Sequence, residues 1–157
     1  MNLRRFAMLQ KLLNDEDFSY EMKRHIKEVL EILLSKGINF SILTNISEIG
    51  FEPELPQEIR TTFKPITMFV LAGYTFESCI VDDWGLSFEA GFGNENYGSL
   101  VSVPMLSILQ IIVDETPILI NLSVEIVPKK RVDKSEGVKR SMEALLSNPE
   151  NEKLLKK

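Results

Sequence analysis

One cysteine, one histidine and one tryptophan are all that this chain of 157 residues contains of those three types. The single cysteine, Cys79, excludes an intrachain disulfide and any cysteine-based metal site. The single histidine, His25, excludes a His-rich metal centre and every paired-histidine motif. A Ser-His-Asp arrangement would have to recruit His25 from a helix, and no G-x-S-x-G elbow presents a serine to it. Basic charge is also short. Eighteen Lys and Arg face 23 Asp and Glu, for a formal net charge of −5 and a pI near 5.0. Such a balance suits nucleic-acid binding by phosphate neutralisation poorly. The one tight basic run, Lys129-Lys130-Arg131, reads as a solvated strand exit. No apolar run approaches the roughly 20 residues that span a bilayer. The opening MNLRRFAMLQKLL is interrupted by Gln10 and Lys11 and lacks a small-residue cleavage site, so it reads as an amphipathic helix. A soluble, cytoplasmic protein is expected.

The glycines between Gly91 and Gly98 do not make a phosphate cradle. No Lys-Ser or Lys-Thr follows them, and Glu95 within the loop would repel phosphate. A loop that uses positive φ is the better reading. Asp82, Asp83, Glu89 and Glu95 are the available carboxylates for acid–base work. They fall in turns or on the polar face of a strand, where solvated charge is the default. His25 reads as a surface or helix-packing residue, and Cys79, flanked by Phe76 and Ile80-Val81, as a packed thiol. The expectation is therefore a protein that is not an enzyme and carries no metal or cofactor.

What is present is apolar residues in a clear order. At 44% hydrophobic content the chain supports one core. Leu3, Phe6 and Leu13, with Gln10 interrupting, predict a short first helix within residues 2–14, and Asn14-Asp15-Glu16-Asp17 breaks it. Ser19 is the predicted N-cap of a second helix, about Tyr20 to Lys36, with Met22, Ile26, Val29, Leu30 and Leu33 as its apolar stripe and Gly37 just past its end. From Ile38 the period becomes two, predicting a strand to about Thr44. Pro53, Pro56 and Pro65 punctuate an irregular or edge segment. Ile66–Leu71 reads as a strand buried on both faces, and Thr75–Val81 as another. Asp82-Asp83-Trp84-Gly85 is a hairpin signal leading into a strand at Leu86–Phe92. A short strand, Leu100–Val103, follows. After Pro104, the positions of Met105, Ile108, Leu109 and Ile112 predict a helix. Ile118–Val127 alternates as a last strand. Val138, Met142 and Leu145 form a weak helical stripe in a polar tail.

The fold class is α+β: N-terminal helices, then a strongly bent antiparallel sheet of five or six strands, closed into a small barrel. The divisions are 1–19, an amphipathic helix and linker; 20–131, a helix plus barrel domain; and 132–157, a helical or frayed tail. One positive binding feature remains. Phe88, Ala90 and Phe92 share a strand face, and the small Ala90 between two aromatics leaves a trough into which an extended peptide could lay its backbone. Periodicity alone favours a plain core for these three residues.

The run from Phe69 to Gly93, with Phe88-Glu89-Ala90-Gly91-Phe92-Gly93 at its end, followed by Val101-Ser102-Val103-Pro104, resembles the SspB (stringent starvation protein B) family of ClpXP protease adaptors. The likeness covers roughly residues 20–127 and is specific from about 69 to 113. It implies a helix followed by an Sm-like β-barrel, a homodimer, and a groove that holds ssrA-type degradation tags. On that likeness Phe88, Ala90, Phe92, Val101 and Val103 are the candidate peptide-binding residues. Leu154, Leu155, Lys156 and Lys157 are the candidate tail that docks on ClpX. The loop Asn94-Glu95-Asn96-Tyr97 resembles part of the Asn-Asp-Glu-Asn-Tyr run of the tag itself, with coincidence the simpler explanation. The implied partners are an ssrA-like peptide or tagged protein, ClpX and a second copy, without nucleic acid or membrane. Two other classes stand beside this one: an Sm-like RNA-binding module, and a structural subunit docked through the N-terminal helix.

Overall fold

The structure, a computed structural model, describes residues 3–123. The expectations placed on Val124–Val127, Lys129–Arg131, Val138, Met142, Leu145 and Leu154–Lys157 lie outside the described residues. Helix α1 runs Leu3–Leu13 and α2 runs Glu16–Ser35. The second helix starts four residues earlier than its sequence pattern suggests. Asp15, not Ser19, is the N-cap, and its carboxylate accepts from the Phe18 amide at 3.0 Å. Asp15 wins because Glu16 and Asp17 then lie in the first turn, where negative charge suits the helix dipole. Ser19 is buried on the helix. At the other end Ile38 N–H donates to the Leu33 carbonyl and Gly37 N–H to that of Leu34, the two bonds of a Schellman ending, with Gly37 at φ +68°. Among the described residues no helix is long and apolar enough to cross a membrane.

Eight strands follow: β1 Phe40–Asn45, β2 Gly50–Glu52, β3 Ile66–Leu71, β4 Ile80–Val81, β5 Gly85–Phe92, β6 Tyr97–Pro104, β7 Ile108–Val113 and β8 Thr116–Ile120. Two short helices, α3 Gln57–Arg60 and α4 Gly73–Glu77, lie among them. The strands make two antiparallel sheets of four, ordered β3-β1-β7-β8 and β2-β6-β5-β4. The strand pairing does not join these sheets into a closed barrel. Alternate residues from each sheet face inward: Ile42, Phe69, Leu71 and Ile111 from one, Phe51, Phe88, Val101 and Val103 from the other. Between them Phe51, Phe63, Phe69, Phe88 and Phe92 form an edge-to-face and stacked cluster, with centroids 5.6–6.4 Å apart. Ile26, Leu30 and Leu33 of α2 complete the core.

Four elements differ from their sequence reading, and one of them is the last strand, expected over Ile118–Val127, which runs Thr116–Ile120 and is followed by non-strand backbone to Ser123. The segment after Pro104 is one 3₁₀ turn, Met105–Ser107, and then β7, not a helix. Its β-branched run ILQIIV pairs on both sides, with β1 and β8, and a central strand loses the polar alternation that distinguishes it from a helix. The aromatic stretch after Ala72 folds as α4, and only Ile80–Val81 is extended. Strand β3 is present as expected but buries only one face, because among the described residues its sheet packs on the core from one side and alternate side chains point away from it. The hairpin at Asp82–Gly85 is as expected. Asp82 Oδ1 accepts from the Trp84 and Gly85 amides, and Asp82 N–H donates to the Gly85 carbonyl.

The end of β8 is fixed by a buried amide. Asn121 Nδ2 donates to the carbonyls of Leu106 and Ile108 at 3.2 and 3.0 Å, and its Oδ1 accepts from Ser123 N–H at 2.8 Å. All three partners lie in non-regular backbone or at a strand end, where sheet bonds cannot satisfy them.

Candidate functional site

Strand β5 carries the residues that the sequence singled out. Its period of two sends Phe88 into the aromatic cluster, where it is 1% exposed, and its pairing partner Val101 is fully buried beside it. Val103 is fully buried too. Of the five candidate peptide-binding residues, these three are therefore core, and a ligand on the protein's surface reaches none of them. Ala90 and Phe92 are half-buried. Phe92 leans edge-on against Phe51 and Phe63, so Ala90 is the one candidate that lines open space.

That space is an open cleft of about 530 Å³ at the far end of the second sheet. Its walls include Tyr74 and Thr75 of α4, Glu89 and Ala90 of β5, Leu100 of β6 and Glu52 of β2. The register explains the grouping. Glu52 and Glu89 both pair with Leu100, so two carboxylates flank one exposed leucine across three strands. Tyr74 Oη donates to Glu89 Oε1 at 2.6 Å, which ties α4 to the strand. The bond to that carboxylate raises the Tyr74 phenol above its ordinary pKa. Gly91 and Gly98 pair opposite one another and leave part of the cleft without side chains.

One edge of β5 is open beside this cleft. Strand β4 is two residues long and covers only Leu86 and Ser87. From Phe88 to Phe92 no described strand lies on that side of β5. The Glu89 amide points to that side, because it donates to Ser78 Oγ at 2.8 Å and not to β6. Backbone direction repeats every second residue in an antiparallel ladder, so the Gly91 N–H and C=O point the same way. No described strand meets them. The site thus combines an unpaired strand edge, a position with no side chain and a cleft walled by a small residue. Free edges of this kind are the templates on which extended chains add.

The hairpin loop Gly93–Asn96 closes the far side. Asn96 sits at φ +54° and its side chain folds against Gly91, where a Cβ would collide with it. Tyr97 Oη donates instead to the Glu54 carbonyl at 3.3 Å. Of the tag-like tetrapeptide, then, Asn96 alone lines the cleft.

Chemistry is sparse elsewhere. His25 is exposed on α2 and Cys79 is half-buried, with its thiol against the Thr75 carbonyl and pushed by burial up to about 11. Among the described residues no group of three His, Cys, Asp or Glu side chains is placed to hold a metal ion. Asp83 pairs with Lys27 of α2 at 2.7 Å. The edge and the α4 wall were missed by sequence reading. The one signal available was Gly91 at an outward position of an otherwise well-patterned strand. No family model matches the chain, and neither a curated protein nor a solved structure matches it.

Proposed function

We propose that this protein is a non-enzymatic, peptide-binding adaptor that takes extended tags of the ssrA type and delivers tagged proteins to ClpXP. The observation that carries the reading is the open edge of β5 at Gly91, beside a cleft that Ala90 walls. A peptide laid there as an added strand would exchange backbone bonds with Gly91 and turn alternate side chains into the cleft. Main-chain pairing supplies affinity for any extended chain, and the cleft selects among sequences. The resemblance of Phe88–Gly93 and Val101–Pro104 to SspB adaptors adds the identity of the tag. The two facing sheets are compatible with the bent Sm-like barrel implied by that resemblance. Phe88, Val101 and Val103 then serve by holding β5 rigid, not by touching peptide. Docking on ClpX through Leu154–Lys157 rests on the resemblance alone. RNA is the weaker ligand, because the cleft presents Glu52 and Glu89 to a polyanion.

The test is fluorescence anisotropy of a labelled ssrA-tag peptide titrated with the wild-type protein and with Ala90→Gln. Ala90 is half-buried and packs against the edge of the core, so glutamine there fills the cleft and a thermal melt checks that the fold is kept. Saturable binding at about micromolar or tighter, abolished in a folded Ala90→Gln protein, is the expected result. Undiminished binding by that variant refutes the site, and no binding by the wild type refutes the tag.

A further inference from the structure

A peptide strand added at the free edge of β5 has a fixed geometry. Its residue opposite Gly91 exchanges backbone bonds with that glycine, and directly paired residues turn their side chains to the same face of a sheet. Gly91 belongs to the outer face, with Glu89 two residues before it and with Gly98 and Leu100 as their partners on β6. The peptide side chain opposite Gly91 therefore lies over this outer face, beside two glycines that add no side chain of their own. Glu89 is its diagonal neighbour, about 7–8 Å away along the backbone and within reach of a long side chain. The Glu89 row continues through Leu100, which is 40% exposed, to Glu52. Tyr74 occupies only one oxygen of Glu89, Oε1. Among the described residues neither Glu89 nor Glu52 has a cationic partner, and no Lys, Arg or His lines the cleft. The Asn96 carboxamide folds against Gly91 and makes no side-chain hydrogen bond among the described residues.

These groups fit one kind of side chain. An acidic residue opposite Gly91 would meet the Glu89 carboxylate, and a short one would leave it unreached. Lysine and arginine combine an apolar stem with a cationic head that donates several hydrogen bonds. The stem lies over the glycines and Leu100, and the head reaches the Glu89 carboxylate and the Asn96 carbonyl. We infer that the position opposite Gly91 is a subsite for a basic residue, so that extended tags with Lys or Arg there are the preferred ligands. The inference rests on the peptide-docking reading and adds the selection that a backbone edge does not supply. The edge pairs with any extended chain, whereas the charge beside it separates one sequence from another. A tag of the ssrA type, acidic in its Asn-Asp-Glu-Asn-Tyr run, uses the edge and leaves this subsite unfilled.

The experiment replaces each residue of the labelled tag peptide by lysine in turn and measures anisotropy with the full chain at low salt. One position should bind about 5-fold tighter than the parent tag. The residues on either side of it, whose side chains face the other way, should gain nothing. Measured against the parent tag on the same protein, the gain should vanish in Glu89→Gln. In Glu89→Lys it should invert, with glutamate favoured at that position. Glu89 is exposed, so both variants are expected to keep their circular dichroism spectra, and either suffices if the other unfolds. Glu115→Gln, in the turn between β7 and β8 of the other sheet, should keep the gain. If the tag binds and no lysine position gains even twofold, the subsite is overturned and the peptide reading stands. A gain shared by all positions, or one that persists in both Glu89 variants, also overturns it, because it reports only the net charge of −5. If neither the tag nor any lysine peptide binds, the peptide reading falls and the subsite with it. Binding by one lysine peptide alone upholds the subsite and removes the ssrA-type tag as its ligand.

Discussion

Gly91→Pro, made in an Asn96→Gly background, tests the open edge of β5 directly. Proline removes one amide donor and little else that this position uses. The Gly91 N–H points away from β6, so the ladder between β5 and β6 loses no bond, and proline is tolerated on such an edge. The background change is needed because a Cβ at Gly91 would strike the Asn96 side chain. Position 96 sits at φ +54°, where glycine is at ease. The size of the effect follows from one backbone bond. Its net worth is about 0.5–1.5 kcal/mol, and the peptide carbonyl left unpaired adds a desolvation cost. Together these give about 1–2 kcal/mol, or roughly 5- to 30-fold weaker binding. Anisotropy with the labelled tag reads that change, and Asn96→Gly alone should bind within about twofold of the wild type. Thermal denaturation should show the folded state retained. A folded double variant with wild-type affinity would mean that the ligand does not pair with this edge.

Glu89→Gln should tighten binding of the acidic tag by about 2- to 5-fold at low salt and leave little difference at 1 M salt, because a carboxylate on the cleft wall repels like charge and salt screens it; weaker binding would point to a cationic ligand group. Asn121→Ala should cost about 3 kcal/mol in urea unfolding, since two carbonyls and one amide each lose a partner worth about 1 kcal/mol; a loss below about 1 kcal/mol would show that solvent replaces the amide. The thiol of Cys79, held near 11, should be about one part in a thousand thiolate at pH 8 and react sluggishly with a disulfide reagent. The unfolded thiol ionises near its ordinary value and the folded one not until about 11, so its effect is to lower folding stability as pH rises through that interval. Rapid labelling of the native protein at pH 8 would contradict the burial.

Local signals read well where one turn or one face decides the structure. The α2 stripe, the Gly37 ending, the Asp82–Gly85 hairpin and the β5 alternation are all of that kind. They fail where neighbours decide. Ile108, Leu109 and Ile112 fit a helical spacing as well as a strand, and only pairing with β1 and β8 settles the matter. Ile66–Leu71 is apolar but for Thr67, and nothing local to it says that one face meets no other layer among the described residues. The site was legible in part for the same reason. The pattern of Phe88, Ala90 and Phe92 marks a buried strand face, and Phe88 is indeed core. What makes β5 a candidate docking edge is the shortness of β4, a property of a different segment.

The order of strands bears on how the chain can be made. Four successive strands, β1 to β4, alternate between the two sheets before β5 with β6, and β7 with β8, are laid down as hairpins. A chain emerging from the ribosome therefore displays β1 and β3 long before β7, which pairs with β1 on its other side, has been synthesised. During that interval the uncharged pair has neither its inner sheet partner nor a closed core. The β4–β5 and β5–β6 hairpins, whose pairings are local, form without waiting for β7. Slowing translation before β7 emerges would lengthen the exposure of β1 and β3, and slowing it afterwards would not.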